Sequence, residues 1–222
     1  MKKNRIGALL ATFMFFFIII PLVGKTFQFS GDRMYTVMAK GKEHTFLTGN
    51  ATIITESTTI QAEEIELYGR DSRYAICKGG VSIKDEEKGI VLSTESLFFD
   101  REEEITRVKG YVEMIDQKNE LVAKAGFLEH FGKEDIIILQ IGVRILKEDM
   151  ACRSEFARYR REEEILELSG MPFVFWKGDE YRASRIVINL DTDEIQLEGE
   201  VKGKIISEEK GEEKSKENDS GQ

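Results

Sequence analysis

Apolar and polar residues alternate along most of the chain, and the alternation follows a fixed rhythm. In "RVKGYVEMI", residues 107–115, Val108, Val112 and Met114 share one parity, as the buried face of a half-buried strand requires. Gly110 has the same parity but offers no side chain to pack. The slot recurs at Gly49 in "LTGNATI", Gly79 in "CKGGVSI", Gly170 in "LSGMPFV" and Gly199 in "LEGEVKG". In "LQIGVRI" it is filled by Ile141, with Gly142 beside it. Successive slots are 30, 31, 31, 29 and 29 residues apart, which marks an internal repeat. Two residues before each slot stand Leu47, Cys77, Val108, Leu139, Leu168 and Leu197. Two after it stand Ala51, Val81, Val112, Val143, Pro172 and Val201. A glycine on the inner face of each copy predicts a place where a long strand bends.

A second element lies between these strands. "IQAEEIEL", "VLSTESLF", "LVAKAGFL", "MACRSEFA" and "YRASRIVI" align without gaps, with a small residue two places in: Ala62, Ser93, Ala123, Cys152 and Ala183. Beyond it the apolar parity shifts by one, as from Ala62 to Ile65, which predicts a bulge or bend in each of these strands too. "DEEKG" at Asp85, "DQKN" at Asp116, "KGD" at Lys177 and "DTD" at Asp191 read as turns, as do the "REEE" runs at Arg101 and Arg161. The acidic runs fit solvated turns that also discourage edge pairing. The predicted fold is all-β, with two long, bent, antiparallel strands in each ~30-residue repeat.

The rest of the composition narrows the function. "MKKNR" before an uncharged apolar run over residues 6–24 makes residues 1–24 a signal peptide or a membrane anchor, directing the remainder of the chain out of the cytoplasm. The net charge is −9, and Lys2, Lys3 and Arg5 fall in the leader, so the exported part is more acidic still. That balance repels polyanions and argues against nucleic-acid binding. The final stretch, residues 207–222, lacks a core-forming pattern and reads as a disordered charged tail. Cys77 and Cys152 stand in packing slots filled elsewhere by Leu, Val, Ala or Ser, and read as small buried apolar residues rather than a disulfide. His44 and His130 have no second ligand at metal spacing, and no catalytic motif occurs. Neither enzyme chemistry, a metal nor a cofactor is expected.

"TFLTGNATIITESTTIQAEEIELY", residues 45–68, and "YRASRIVINLDTDEIQLEGEVKG", residues 181–203, carry a resemblance spread over residues 27–206. The chain resembles the OstA-like (organic solvent tolerance) family, which includes the periplasmic bridge protein of lipopolysaccharide transport. The resemblance implies an open, twisted β-jellyroll over residues 27–206. It also implies a periplasmic carrier that holds lipopolysaccharide or a related glycolipid by its acyl chains and relays it from the inner to the outer membrane. Stacking on other bridge proteins or further copies would run through edge strands, head to tail. Retention of residues 6–24 would make the protein an inner-membrane-anchored relay instead. A third reading is a polymerising β-scaffold that binds no lipid.

The groove lining expected on this basis is Ile53, Ile83, Val112, Met114, Val143, Ile145 and Val174. Arg153, Arg158, Arg160 and Arg161 in "RSEFARYRR" are either a phosphate or sugar contact at a groove mouth or a solvated strand end. "MPFVFW", residues 171–176, is apolar on both parities, so it is either covered by another layer or exposed to a partner or lipid.

Overall fold

The alternating segments become strands, and neighbouring strands pair through short turns. The computed structural model describes residues 28–206; the leader, residues 1–24, and the tail, residues 207–222, lie outside them. Strands β1 (Gln28–Ser30), β2 (Arg33–Val37), β3 (His44–Ile54), β4 (Thr58–Tyr68), β5 (Tyr74–Asp85) and β6 (Ile90–Asp100) come first. They are followed by β7 (Ile105–Asp116), β8 (Leu121–Phe131), β9 (Ile136–Lys147), β10 (Met150–Arg160) and β11 (Ile165–Ser169). The last are β12 (Phe173–Trp176), β13 (Asp179–Arg182), β14 (Arg185–Asn189), β15 (Glu194–Glu198) and β16 (Lys202–Lys204). All pair antiparallel in one open sheet, in sequence order from β3 to β10. The short strands are halves of longer bent ones: β1 with β2, β11 with β12, β13 with β14 and β15 with β16, giving twelve bent strands among the described residues.

The bend lies where the slots predict it. Every pairing from β3 to β10 shifts register there, as between Thr48 and Ala51 or Lys109 and Val112. Five of the six slots place two successive residues at positive φ, such as Gly79 at 77° and Gly80 at 56°; at the sixth, Gly110 is alone, at 105°. Left-handed backbone is cheap for glycine and costs other residues about 1–2 kcal/mol. The left-handed backbone turns the slot outward, so Gly110 is exposed rather than on the buried face that simple parity assigns it. The strand still resumes its inward parity two residues later, at Val112.

Ile141 is the exception that shows how the bend is built. It holds φ at 69°, in a region where a β-branched residue is strained. A Cβ on Gly79 or Gly170 would press on the Glu63 or Glu155 side chain of the strand before it. Beside Ile141 the preceding strand instead carries Gly126, where a Cβ would lie 3.0 Å from both Cβ and Cγ2 of Ile141. The glycine has crossed to the neighbouring strand.

Four of the connecting turns are set by their first residues. Asp85, Asp100, Asp116 and Asn189 each accept backbone N–H groups two or three residues on, through a side-chain oxygen. Bending gives two half-sheets. The first holds β2, residues 44–48 of β3 and their partners through to β11, β14 and β15. The second holds β1, residues 51–54 of β3 and their partners through to β12, β13 and β16. Inward residues of both, among them Ile65, Val108, Leu128, Ile145 and Val174, are buried in a single apolar cluster. Only a second layer removes one sheet's inner face from water, so the halves face each other. Each fully buried Leu, Ile or Val side chain contributes about 1.5–3 kcal/mol.

Candidate functional site

The enclosed interior is the one feature that runs through every repeat. Of the expected lining, Ile53, Val112, Met114, Val143, Ile145 and Val174 are buried, and Ile83 is partly buried against the same cluster. All seven lie on the second half-sheet and form one wall. The facing wall, left out of that expectation, includes Leu47, Leu97, Leu128, Leu139 and Leu168. Its signal in sequence was the apolar residue two places before each slot. The side chains of the two walls belong to one buried apolar cluster.

The ends of the bent strands meet along a seam. Turns at residues 86–89 and 117–120 close hairpins of the second half-sheet, and those at 132–135 and 161–164 close hairpins of the first. Arg161 joins them. Its Nε donates to Asp116 Oδ2 at 2.7 Å, its Nη2 to Asp116 Oδ1 at 3.0 Å and to the Lys88 carbonyl at 2.8 Å, and its Nη1 to Asp135 Oδ2 at 2.8 Å. Tyr159 donates its hydroxyl to Asp116 Oδ2 at 3.1 Å and accepts from Asn119 Nδ2 at 2.6 Å. Lys88 Nζ donates across the seam to the Gly132 carbonyl at 2.8 Å. Asp116 is 0% exposed and Arg161 5%, so this is a buried ion pair with bidentate geometry. Further along, Lys177 and Asp193 pair across the seam at 2.6 Å, but both are exposed and solvent screens the pair.

The charges at the seam hold each other ionised. Burial pushes the Asp116 carboxyl upward, but the hydrogen bonds and charge of Arg161 outweigh it, and its pKa falls below the usual carboxylate range. Asp135 behaves alike: burial raises it, while the His130 hydrogen bond and the charges of Arg161 and Lys88 bring it down. Burial, together with the Asp116 charge, raises the Tyr159 phenol, which therefore stays a neutral donor.

The four arginines of "RSEFARYRR" do not form one cluster. Arg161 is consumed by the seam. Arg160 pairs with Glu163 and Glu167, and Arg158 lies beside it on the outer face of the first half-sheet. Arg153 lies beyond the bend, on the outer face of the second. A strand that bends between residues 153 and 158 separates side chains that sequence distance places together. In "MPFVFW", Met171 and Phe175 are exposed, while Pro172 and Val174 are buried. The outward parity is thus uncovered among the described residues. Cys77 and Cys152 are free and buried, each thiol pushed up to about 12 by burial. Among the described residues no cluster of three metal-ligating side chains occurs, and no helix is long and apolar enough to cross a membrane.

No protein-family model matches the chain, and no curated protein matches it. Among solved structures, the chain is similar to LptH from Pseudomonas aeruginosa. That structure is described as the LptA-homologous periplasmic component of the conserved lipopolysaccharide transport device. The alignment covers 82% of this chain and 96% of LptH at 9% identity, with a TM-score of 0.25. At that identity and superposition no residue role passes from LptH to this chain.

Proposed function

We propose that the protein is a periplasmic carrier of lipopolysaccharide or a related glycolipid, with the acyl chains held between the two half-sheets. The observation that carries this reading is the apolar interior itself. It extends through the whole stack, and along the seam it is closed by side-chain and turn contacts rather than by strand pairing. Opening the seam therefore breaks no β-ladder. Acyl chains entering there exchange water for apolar contact at about 0.8 kcal/mol per methylene. Ile53, Ile83, Val112, Met114, Val143, Ile145 and Val174 would contact them from one wall.

Relay would proceed through the ends of the stack. β1 and β2 at one end, and β15 and β16 at the other, pair on one side only. Such edges are templates for a further strand. Phe29, Met34 and Tyr35 are exposed at the first end, and Val201, Ile205 and Ile206 at the last. The first bent strand breaks at Gly31 and Asp32 and the last at Gly199 and Glu200, so a second copy continues the alternation and the bend. Retention of residues 6–24 would make the same domain an anchored relay.

Photo-crosslinkers at Ile83 and Val143 test the carrier. Capture of glycolipid at both is expected in cells. Failure to capture any lipid, with self-association intact, would leave a polymerising scaffold.

A further inference from the structure

The outer face of the second half-sheet carries a row of cations of which, among the described residues, only one has an ion pair. Arg144 on β9 is the direct cross-strand partner of Arg153 on β10. Arg153 is opposite Phe173 on β12, Phe173 opposite Arg182 on β13, and Arg182 opposite Lys202 on β16. Five side chains thus stand in register across five strands, four of them cationic and exposed. With four intervals of about 4.8 Å, the row is roughly 19 Å long. Among the described residues Arg144, Arg153 and Lys202 have no ion pair, and Arg182 reaches only Glu180 at 4.0 Å, on its own strand. Like charges directly opposite on neighbouring strands are destabilising. The chain has 41 acidic residues against 32 basic ones, so unpaired facing cations stand out against its composition.

Three further observations point to a ligand. The guanidinium groups of Arg153 and Arg182 both lie over the Phe173 ring, 4.9 and 4.8 Å from its centroid, which holds them in place without neutralising them. The row borders an open cleft of about 570 Å³, formed where β10 changes partner from β12 to β11. Glu155 and Glu200 also line the cleft, leaving a cationic excess. Finally, an apolar row runs beside the cation row on β9, β10 and β12, two residues along each of these strands, and continues over β8, β7 and β6. Val91, Ile115, Val122, Leu146, Ala151 and Phe175 are successive cross-strand partners, and Ile115, Leu146 and Phe175 are exposed.

We propose that Arg144, Arg153, Arg182 and Lys202 bind the phosphate groups of an anionic lipid headgroup, the apolar row taking the adjoining hydrocarbon. Guanidinium groups match phosphate oxygens through paired hydrogen bonds, and the length of the row suits more than one phosphate. The proposal rests on the carrier reading only in making the ligand a lipid.

The test uses the purified chain, vesicles of phosphatidylglycerol or of phosphatidylcholine, and inorganic pyrophosphate, all at low ionic strength. The double variant Arg153→Gln/Arg182→Gln is compared with Lys78→Gln/Lys109→Gln, which makes the same charge change at exposed positions of the first half-sheet. Co-sedimentation with phosphatidylglycerol vesicles is expected to weaken about tenfold or more in the first variant and less than twofold in the second. Its melting temperature should not fall, because facing like charges have been removed. Equal losses in the two variants, or no preference over phosphatidylcholine, overturn the proposal. Pyrophosphate binding that depends on the cation row, without vesicle binding, overturns the lipid source. A crosslinker at Met114 separates this from the carrier reading. Interior lipid capture with vesicle binding independent of the cation row refutes only the headgroup site. Vesicle binding that depends on the cation row, without interior capture, refutes only the carrier.

Discussion

Replacing Arg161 with methionine is expected to be the most destabilising single change along the seam. It removes four hydrogen bonds and leaves Asp116, fully buried, with no cation opposite it. Breaking a buried pair from one side costs about 3–5 kcal/mol, because the remaining charge is stranded in low dielectric. With an m-value of about 2.5 kcal/mol/M in urea, the midpoint should drop by roughly 1.2–2 M. Arg161→Met/Asp116→Asn removes the stranded charge yet keeps an acceptor for the turn, and should recover more than half of the loss.

The pH dependence supplies a second readout from the same variants. In the wild type Asp116 and Asp135 have lowered pKa values. Their stabilisation is therefore fully present above the unfolded carboxylate value of about 3.9 and is lost as pH falls through the lower folded values. Without Arg161, burial is the largest influence left on Asp116 and raises its pKa, so it takes up a proton at higher pH and relieves the penalty. The stability gap between wild type and Arg161→Met should narrow steadily from pH 7 toward pH 4. A loss below about 1 kcal/mol at pH 7, or a gap that does not change with pH, would mean that water already reaches the pair and that the seam is not closed by it.

Three further outcomes are expected. Ile141→Gly should stabilise the protein by about 1 kcal/mol in urea denaturation, by relieving positive φ at a β-branched residue; Gly126→Ala should destabilise the wild type but be tolerated in that background, and additive effects would refute the glycine exchange. Ile83→Asp should lower stability by several kcal/mol, through a charge on the inner wall, whereas Lys84→Asp, which loses only an exposed pair with Glu86, should stay within about 0.5 kcal/mol; equal midpoints would refute the face assignment. Cys77 and Cys152 should resist a thiol-reactive dye at pH 8 in the folded protein and react fully in denaturant, since burial holds both thiols protonated.

The repeat, the bends and the turns were legible in the sequence because each depends on a local requirement that one residue type meets best. A left-handed pair favours glycine, a turn favours Asp or Asn at its first position, and an inward position must be apolar. The face of the slot was not legible. Parity counted through Gly110 assumes one pleat per residue, and the left-handed slot breaks that count. The seam was not legible either. Asp116 and Arg161 are 45 residues apart, no period links them, and each sits in a charge run whose ordinary meaning is a solvated turn. That meaning holds for exposed Glu162 and Glu163 and fails for the arginine next to them. The cation row was hidden for the opposite reason, since its members are adjacent only across strands.

Over the described residues the stack comprises six hairpins of bent strands, and its first and last strands break at equivalent places. Its length, about 55 Å for twelve strands, is therefore counted in whole units of about 10 Å. Inserting or deleting one ~30-residue hairpin would lengthen or shorten the molecule by one unit while leaving both end faces, and any partner that docks on them, unchanged. Length and end faces are in this way set by different parts of the chain, so the number of hairpins can change without altering the edges that a further strand would meet.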